Sequence, residues 1–483
     1  MNSHKMSNRQ IKTHKNDECI ESRRRVLRQL GGLSAFGVLP GLSSLLTTQT
    51  AHAAGSYKAL VCVFLFGGND ANNMVVPTDA SGYNTYFHSR GGVIGTASNG
   101  ALALPNAGSS GGVLALSGTS FGLNPNMPEL QALWQSGNVA MLFNVGNLVQ
   151  PFASPAAFLA NTDRTKVPVN LYSHLDQQQQ MQNTSASAAI TGWAGRIADS
   201  INVPSGGMPV GVSVDGNVSL LTGTTSSPIV VPQKGTLTYN GFTSAAASQA
   251  RLAALKTMFS AGSDALLVGD TGGIQSQALN TTNVLQTILS SAASVSGNFP
   301  KYSTSYLSQQ LAQTALLIQA AANGAISAPA QQIFFVALNG FDTHNNELAV
   351  QGPLLADLSS SLNGFYSALV QIGQASNVVT FTLSDFARTL KPASGGGSDH
   401  AWGSHHLIMG STANVRTGTY GTFPDLTLGG TSDVSTEGRW MPTTSIDQYG
   451  ATLATWLGAS ASAINSAFPN LAHFSTRNLG FLA

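Results

Sequence analysis

Three of the ten histidines in this 483-residue chain fall within seven residues, in Gly395-Gly396-Gly397-Ser398-Asp399-His400-Ala401-Trp402-Gly403-Ser404-His405-His406. Imidazole nitrogens beside a carboxylate on glycine-rich backbone suit a metal site, because that donor set binds zinc- or manganese-type ions well. Taken alone, the stretch reads equally as a solvated loop with a chance histidine run. Three other stretches carry related donors: Gly67-Gly68-Asn69-Asp70, Gly340-Phe341-Asp342-Thr343-His344 and Ser384-Asp385-Phe386-Ala387-Arg388. Asp342 and His344 stand at i, i+2, so on extended backbone they point the same way and can chelate one ion together. One or two divalent ions, with zinc, manganese and calcium all open, would support hydrolysis there. Such ions neutralise a phosphate or sulfate oxyanion and acidify a hydroxyl or a water.

The elements that must position these groups are legible around them. Asp70, the Asp342–His344 pair and Asp385 each follow an apolar run: Lys58 to Phe66, Gln332 to Leu338, Val378 to Leu383. Continuous apolar, β-rich runs read as strands buried on both faces, as in a parallel sheet. Val139 to Val145 is another such run, entered from a helix at Met127 to Ser136, and His406 to Gly410 reads as a short strand. Carboxyl ends of parallel strands share one edge, where open α/β sheets hold ligands. Helices are expected at Ser308 to Asn323, Leu354 to Gly373 and Thr443 to Leu457, and in the glutamine run that opens at Ser173. The fold class expected is α/β: a three-layer sandwich with a mostly parallel central sheet and helices on both faces. Residues 54–483 read as one domain, with 205–300 as an insertion or cap.

Only 9% of the residues are charged, against about 25% in average proteins. That argues against nucleic-acid binding, which needs clustered Lys and Arg on phosphates. Residues 1–53 read as a targeting segment. Ser22-Arg23-Arg24-Arg25-Val26-Leu27 follows the twin-arginine export pattern, a weakly apolar stretch comes next, and Ala51-His52-Ala53 offers a cleavage site. The expected partner during export is the twin-arginine translocase, and the expected location is periplasmic or secreted. The apolar stretch is too short and too broken by Pro40 for a stable membrane span. Without residues 1–53 the chain has 14 bases against 18 acids, net −4. Cys62 then remains alone, so no intrachain disulfide forms, and it reads as a core residue.

The four motifs in this order, with Pro442-Thr443-Thr444-Ser445-Ile446-Asp447 near the end, resemble an exported bacterial family known as domain of unknown function 1501. That family is similar to the alkaline phosphatase and sulfatase superfamily. The resemblance implies an alkaline-phosphatase-like domain with metal at the sheet edge. It puts Asp70 and Asp385 on one ion and Asp342 and His344 on the other, with His405 completing the second set and His400 and His406 left as substrate contacts or alternative ligands. Two departures stand out. Phe386 occupies the place of a histidine ligand in the superfamily's phosphatases, which weakens or removes one ion. The superfamily's nucleophile has no evident counterpart either. Ser173, at a helix start that favours anions, is the catalytic candidate, with an N-cap role as its alternative. His174 beside it would bind substrate or metal, and Arg388 would hold an oxyanion or pair with Asp385 or Asp399. The expected activity is metal-dependent hydrolysis of a small-molecule or polymer phosphate or sulfate ester. The alternative is a non-catalytic, metal-containing binding or envelope-assembly protein.

Overall fold

The computed structural model describes residues 57–96, 98–184, 190–204, 207–234, 245–260 and 293–483, with residues 282, 285, 286 and 288 between them. The chain divides into two compact units, Met1–Gln49 with Thr238–Val284, and Thr50–Leu237 with Leu285–Ala483. In the first, one long helix is described, Ala246–Ser260. The expected export segment, residues 1–53, lies outside the described residues. No helix among the described residues is long and apolar enough to cross a membrane.

The second unit is α/β. Its central sheet holds nine strands: β1 (Lys58–Phe66), β5 (Val139–Gly146), β6 (Gly211–Ser213), β7 (Ile229–Val230), β8 (Gln331–Asn339), β9 (Val378–Ser384), β10 (Ser404–Gly410), β11 (Gly418–Tyr420) and β12 (Thr444–Ser445). Three short strands, β2 (Val75–Pro77), β3 (Leu114–Ala115) and β4 (Phe121–Leu123), form a separate small sheet. The order of the large sheet is β11-β5-β10-β9-β1-β8-β6-β7, with β12 also on β5. β1 pairs in parallel with both β8 and β9, whereas β10 runs antiparallel to β5 and β9. The sheet is therefore mixed but mostly parallel, and the start of β10 lies at the edge where β1, β8 and β9 end. Within the segment expected to be an insertion or cap, β6 and β7 join the sheet beside β8.

The alternation of β1 shows why its run is apolar throughout. Ala59, Val61, Val63 and Leu65 face one hydrophobic cluster; Leu60, Cys62 and Phe64 face the other. Helices α3 (Pro128–Gln135), α6 (Tyr306–Ala322) and α7 (Glu347–Gln371) bury their apolar residues in the first cluster. Helices α5 (Trp193–Ala198) and α8 (Ile446–Leu457) do so in the second. A sheet covered on both faces favours apolar side chains along its strands, and each large one buried contributes roughly 1.5–3 kcal/mol. Helix α8 starts at a reciprocal Ser445–Gln448 capping box and stops at Gly458, whose φ of 98° a side chain would resist. Helix α7 begins seven residues before the expected Leu354, with Pro353 inside it. The Glu347 and Asn346 N–H groups at its start are satisfied by the Gly396 and Gly395 carbonyls, so the entry is fixed by the glycine loop rather than by the proline. Two shorter helices complete the site's frame, α1 (Ala71–Met74) and α4 (His174–Asn183).

Candidate metal centre

At the carboxyl edge of the sheet the turn after β8 carries Asp342 and His344, and the first residue of α4 is His174. The glycine hairpin before β10 supplies Asp399 and His400. Around Asp342 Oδ1 stand His344 Nε2 at 3.0 Å, His174 Nε2 at 3.4 Å and His400 Nε2 at 3.6 Å. Ligand atoms of His174, Asp342 and His400 all lie within 4.8 Å of one another. His344 joins them, because its Nε2 is 2.9 Å from that of His400.

The far nitrogen of each ring decides the chemistry of the near one. His174 Nδ1 faces Asp385 Oδ2 at 2.7 Å, His400 Nδ1 faces the Tyr172 carbonyl at 2.7 Å, and His344 Nδ1 faces Asp399 Oδ1 at 3.3 Å. Carboxylates and carbonyls only accept, so each Nδ1 carries the proton and donates it. A neutral ring then presents a bare Nε2 lone pair toward the others. Lone pairs of His344 and His400 at 2.9 Å repel unless a cation sits against them. His174 Nε2 is buried with no hydrogen-bond partner. One partnerless imidazole nitrogen, that of His174, and two that face each other, those of His344 and His400, surround one carboxylate and fit a transition-metal ion, each ring backed by the acceptor that such ligands ordinarily require.

Charge and burial shift the His174 and His400 pKa values in opposite directions. The Asp385 hydrogen bond pushes the His174 pKa up against its burial, whereas burial pulls that of His400 down, favouring its neutral form. Burial opposes ionisation of Asp342, but the Arg388 guanidinium outweighs it and holds the carboxyl below the usual range.

Several expected site residues stand elsewhere in the structure. Asp70 does not join the cluster. It caps α1, accepting from the Asn72 N–H at 3.1 Å, and its other oxygen pairs with the fully buried Arg90. Arg90 also reaches Glu347, 3.4 Å away. Burial, reinforced by the Asp70 charge, pushes the Glu347 carboxyl well up, so the two carboxyls compete for one cation. His405 and His406 lie inside β10 and point to opposite faces of the sheet. His405 accepts the Asn144 N–H and packs against Phe143 and Phe423. His406 stacks on Tyr449. Both are 1% exposed, and burial lowers their pKa values to about 4 and about 3. Neither belongs to the cluster; His400 holds the place expected of His405. Ser173 is the N-cap of α4 and its hydroxyl donates to Asp176 at 2.7 Å. Arg388, with no exposed surface, donates to the Gly67, Gly68 and Ser398 carbonyls and to Asp342. It orients Asp342 and has no face left for a substrate oxyanion.

Asp385, expected as a metal ligand, lies behind the cluster, on the far side of His174. Its side chain is fully buried and receives His174, Gln178 and the Gly67 N–H. Gln178 and His174 are one helical turn apart, so α4 presents both to the same oxygen. Phe386 lies 4.7 Å from both the His174 and His400 rings and holds their planes. Gly68 must be glycine beside it, because a Cβ there would lie 2.5 Å from the Phe386 ring. Gln178 and Tyr172 have no place in the expected site, whereas Asp399, noted beside the histidines, stands behind His344. For Gln178 a signal existed, its i, i+4 spacing from His174. For Tyr172 the contribution is a backbone carbonyl, which no residue type reveals. Its φ of 73° is strained for an aromatic residue, and Arg439 lies over its ring while donating to the His400 carbonyl.

The fold and this cluster define an α/β protein with a three-histidine, one-carboxylate centre at its sheet edge. The chain belongs to the family described as protein of unknown function (DUF1501), whose model matches residues 57–437. No curated protein matches it. Among solved structures it is similar to Ps i-CgsB in complex with k-i-k-neocarrahexaose, at 10% identity and a TM-score of 0.32, over 87% of this chain and 75% of that one. Ps i-CgsB alone gives 9% identity and a TM-score of 0.31, over 87% and 77%.

Proposed function

We propose that this protein is an exported, metal-dependent hydrolase of a phosphate or sulfate ester on an alkaline-phosphatase-like fold, with its own arrangement of the sheet-edge site. The observation that carries the reading is the convergence of three Nδ1-anchored imidazoles on Asp342. Asp342, His174, His344 and His400 would hold one divalent ion. The nitrogen-rich set favours zinc or manganese over calcium, which takes oxygen ligands. Such an ion supplies charge against an ester oxygen and acidifies a water. The chain's own residues do the positioning. Asp385, Asp399 and the Tyr172 carbonyl keep the Nδ1 protons in place, Arg388 fixes the Asp342 carboxylate, and Phe386 keeps the His174 and His400 planes from turning. With the Ser173 hydroxyl committed to its cap, water is the nucleophile in this reading.

The capped Ser173 and the Phe386 ring also favour a second reading, a metal-containing binding protein without turnover. One assay separates the two. Metal-loaded protein is offered aryl phosphate, aryl sulfate and phosphodiester substrates, alongside Asp342→Ala. Turnover lost in Asp342→Ala supports the hydrolase; metal-loaded protein that turns over none of them supports the binding protein.

A further inference from the structure

The cluster borders a cleft of about 490 Å³, and His344 and Asp399 line both. The rest of the cleft wall is mostly polar, with Asn345, Thr389, Ser394 and Lys391 prominent; Pro392 and Ala393 are its apolar members, and no aromatic or long aliphatic side chain lines that part among the described residues. Its charges are unequal in commitment. Asp399 faces His344, and Glu437 pairs with Arg439 at 2.7 Å. Lys391 makes no ion pair among the described residues. Its backbone is nevertheless fixed, the N–H donating to the Glu437 carbonyl at 3.0 Å and the carbonyl accepting from Thr389 Oγ1 at 3.1 Å. The cleft therefore offers one unspent cation at a position set by the fold.

Resting on the hydrolase reading, we propose that this cleft receives the alcohol portion of the ester. Lys391 selects alcohols that carry a second acidic group, a carboxylate, sulfate or phosphate. An aryl or lipid alcohol would cover polar groups without pairing them, which costs binding. A polar alcohol keeps them paired. A lysine ammonium, as a compact point charge on a flexible stem, accepts any of these anions without demanding a planar fork. Because Lys391 is exposed, its discrimination is modest, about two- to fivefold.

The test is calorimetric binding to metal-loaded protein of glycerol 3-phosphate against 3-phosphoglycerate, a pair differing by one carboxylate, and of the matching sulfate esters. Metal content is measured on the same samples. Wild type is expected to favour the acid-bearing ester about two- to fivefold. Lys391→Ala should lose that preference by weakening the acid-bearing ester alone, and Lys391→Arg should restore it. The proposal is overturned if wild type binds both members of each pair equally, or if Lys391→Ala keeps the preference or weakens both alike. A wild type that holds no metal, or binds neither ester, defeats the underlying hydrolase reading instead, and this proposal with it.

Discussion

At the scale of single residues, the account turns on which nitrogen of each histidine is occupied. Asp385 is a positioning residue: it touches His174 Nδ1 and leaves Nε2 facing Asp342. Asp385→Asn keeps its volume and can still accept one hydrogen bond, but removes the charge that favours His174. Metal affinity should fall about 10- to 100-fold, read by competition with a chromophoric chelator; unchanged affinity would remove Asp385 from the centre. Ser173→Ala makes the opposite case. Loss of the α4 cap should cost about 1 kcal/mol of stability, measured by urea titration, with turnover largely kept. Abolished turnover in a folded, metal-loaded Ser173→Ala protein would make Ser173 the nucleophile after all.

At the scale of elements, two loops must stay locked together for the histidines to meet. The Asp342–Asn346 turn and the Gly395–Ser398 hairpin share backbone hydrogen bonds from Asn346 to Gly395, Glu347 to Gly396 and Ser398 to Thr343. A Cβ on Gly397 would stand 2.1 Å from the His344 carbonyl carbon. Gly397→Ala should therefore push His344 away from His400 and reduce bound metal, while the sheet, which it does not touch, keeps its far-ultraviolet circular dichroism. Normal metal content in that variant would show that the two loops are not tightly coupled. The buried Asp70–Arg90–Glu347 group braces the same junction, since Ser398 donates to Glu347 and its carbonyl accepts from Arg388. Removing Arg90 would leave two carboxyls without their cation, a loss of about 3–5 kcal/mol in buried pairs.

For the whole molecule, pH should report the two histidines that the sheet swallowed. Their folded pKa values, about 4 for His405 and about 3 for His406, lie below the unfolded value near 6.5. Between those limits the unfolded chain takes up protons that the fold refuses, so stability falls as pH drops from about 6.5 toward 4. Each contributes up to about 1.4 kcal/mol per pH unit. Asp447 acts in the opposite sense, its pKa raised to about 7 by burial. Comparing wild type with His406→Phe cancels that contribution. The variant should lose about 1 kcal/mol per unit less between pH 6.5 and 4.5; parallel curves would contradict a buried neutral His406. The same histidines show where sequence reading stopped. Strands β1, β5, β8 and β9 were legible because strands covered on both faces must be apolar along their length, and Asp342 and His344 because they follow β8 directly. The choice among His400, His405 and His406 depended on where β10 begins. It begins at Ser404, with an irregular register between Ser404 and His406, which spacing alone does not encode. Asp70 was misplaced because its partner, Arg90, lies twenty residues away on a segment with little periodic signal.

His400, not His405, would complete a metal centre with Asp342, His174 and His344. Element-resolved mass spectrometry of purified wild type, His400→Ala and His405→Gln tests it directly. One zinc- or manganese-type ion per chain is predicted in wild type and in folded His405→Gln, with a loss of most of it in His400→Ala. A metal-free wild type, or metal kept in His400→Ala and lost in His405→Gln, would contradict the account.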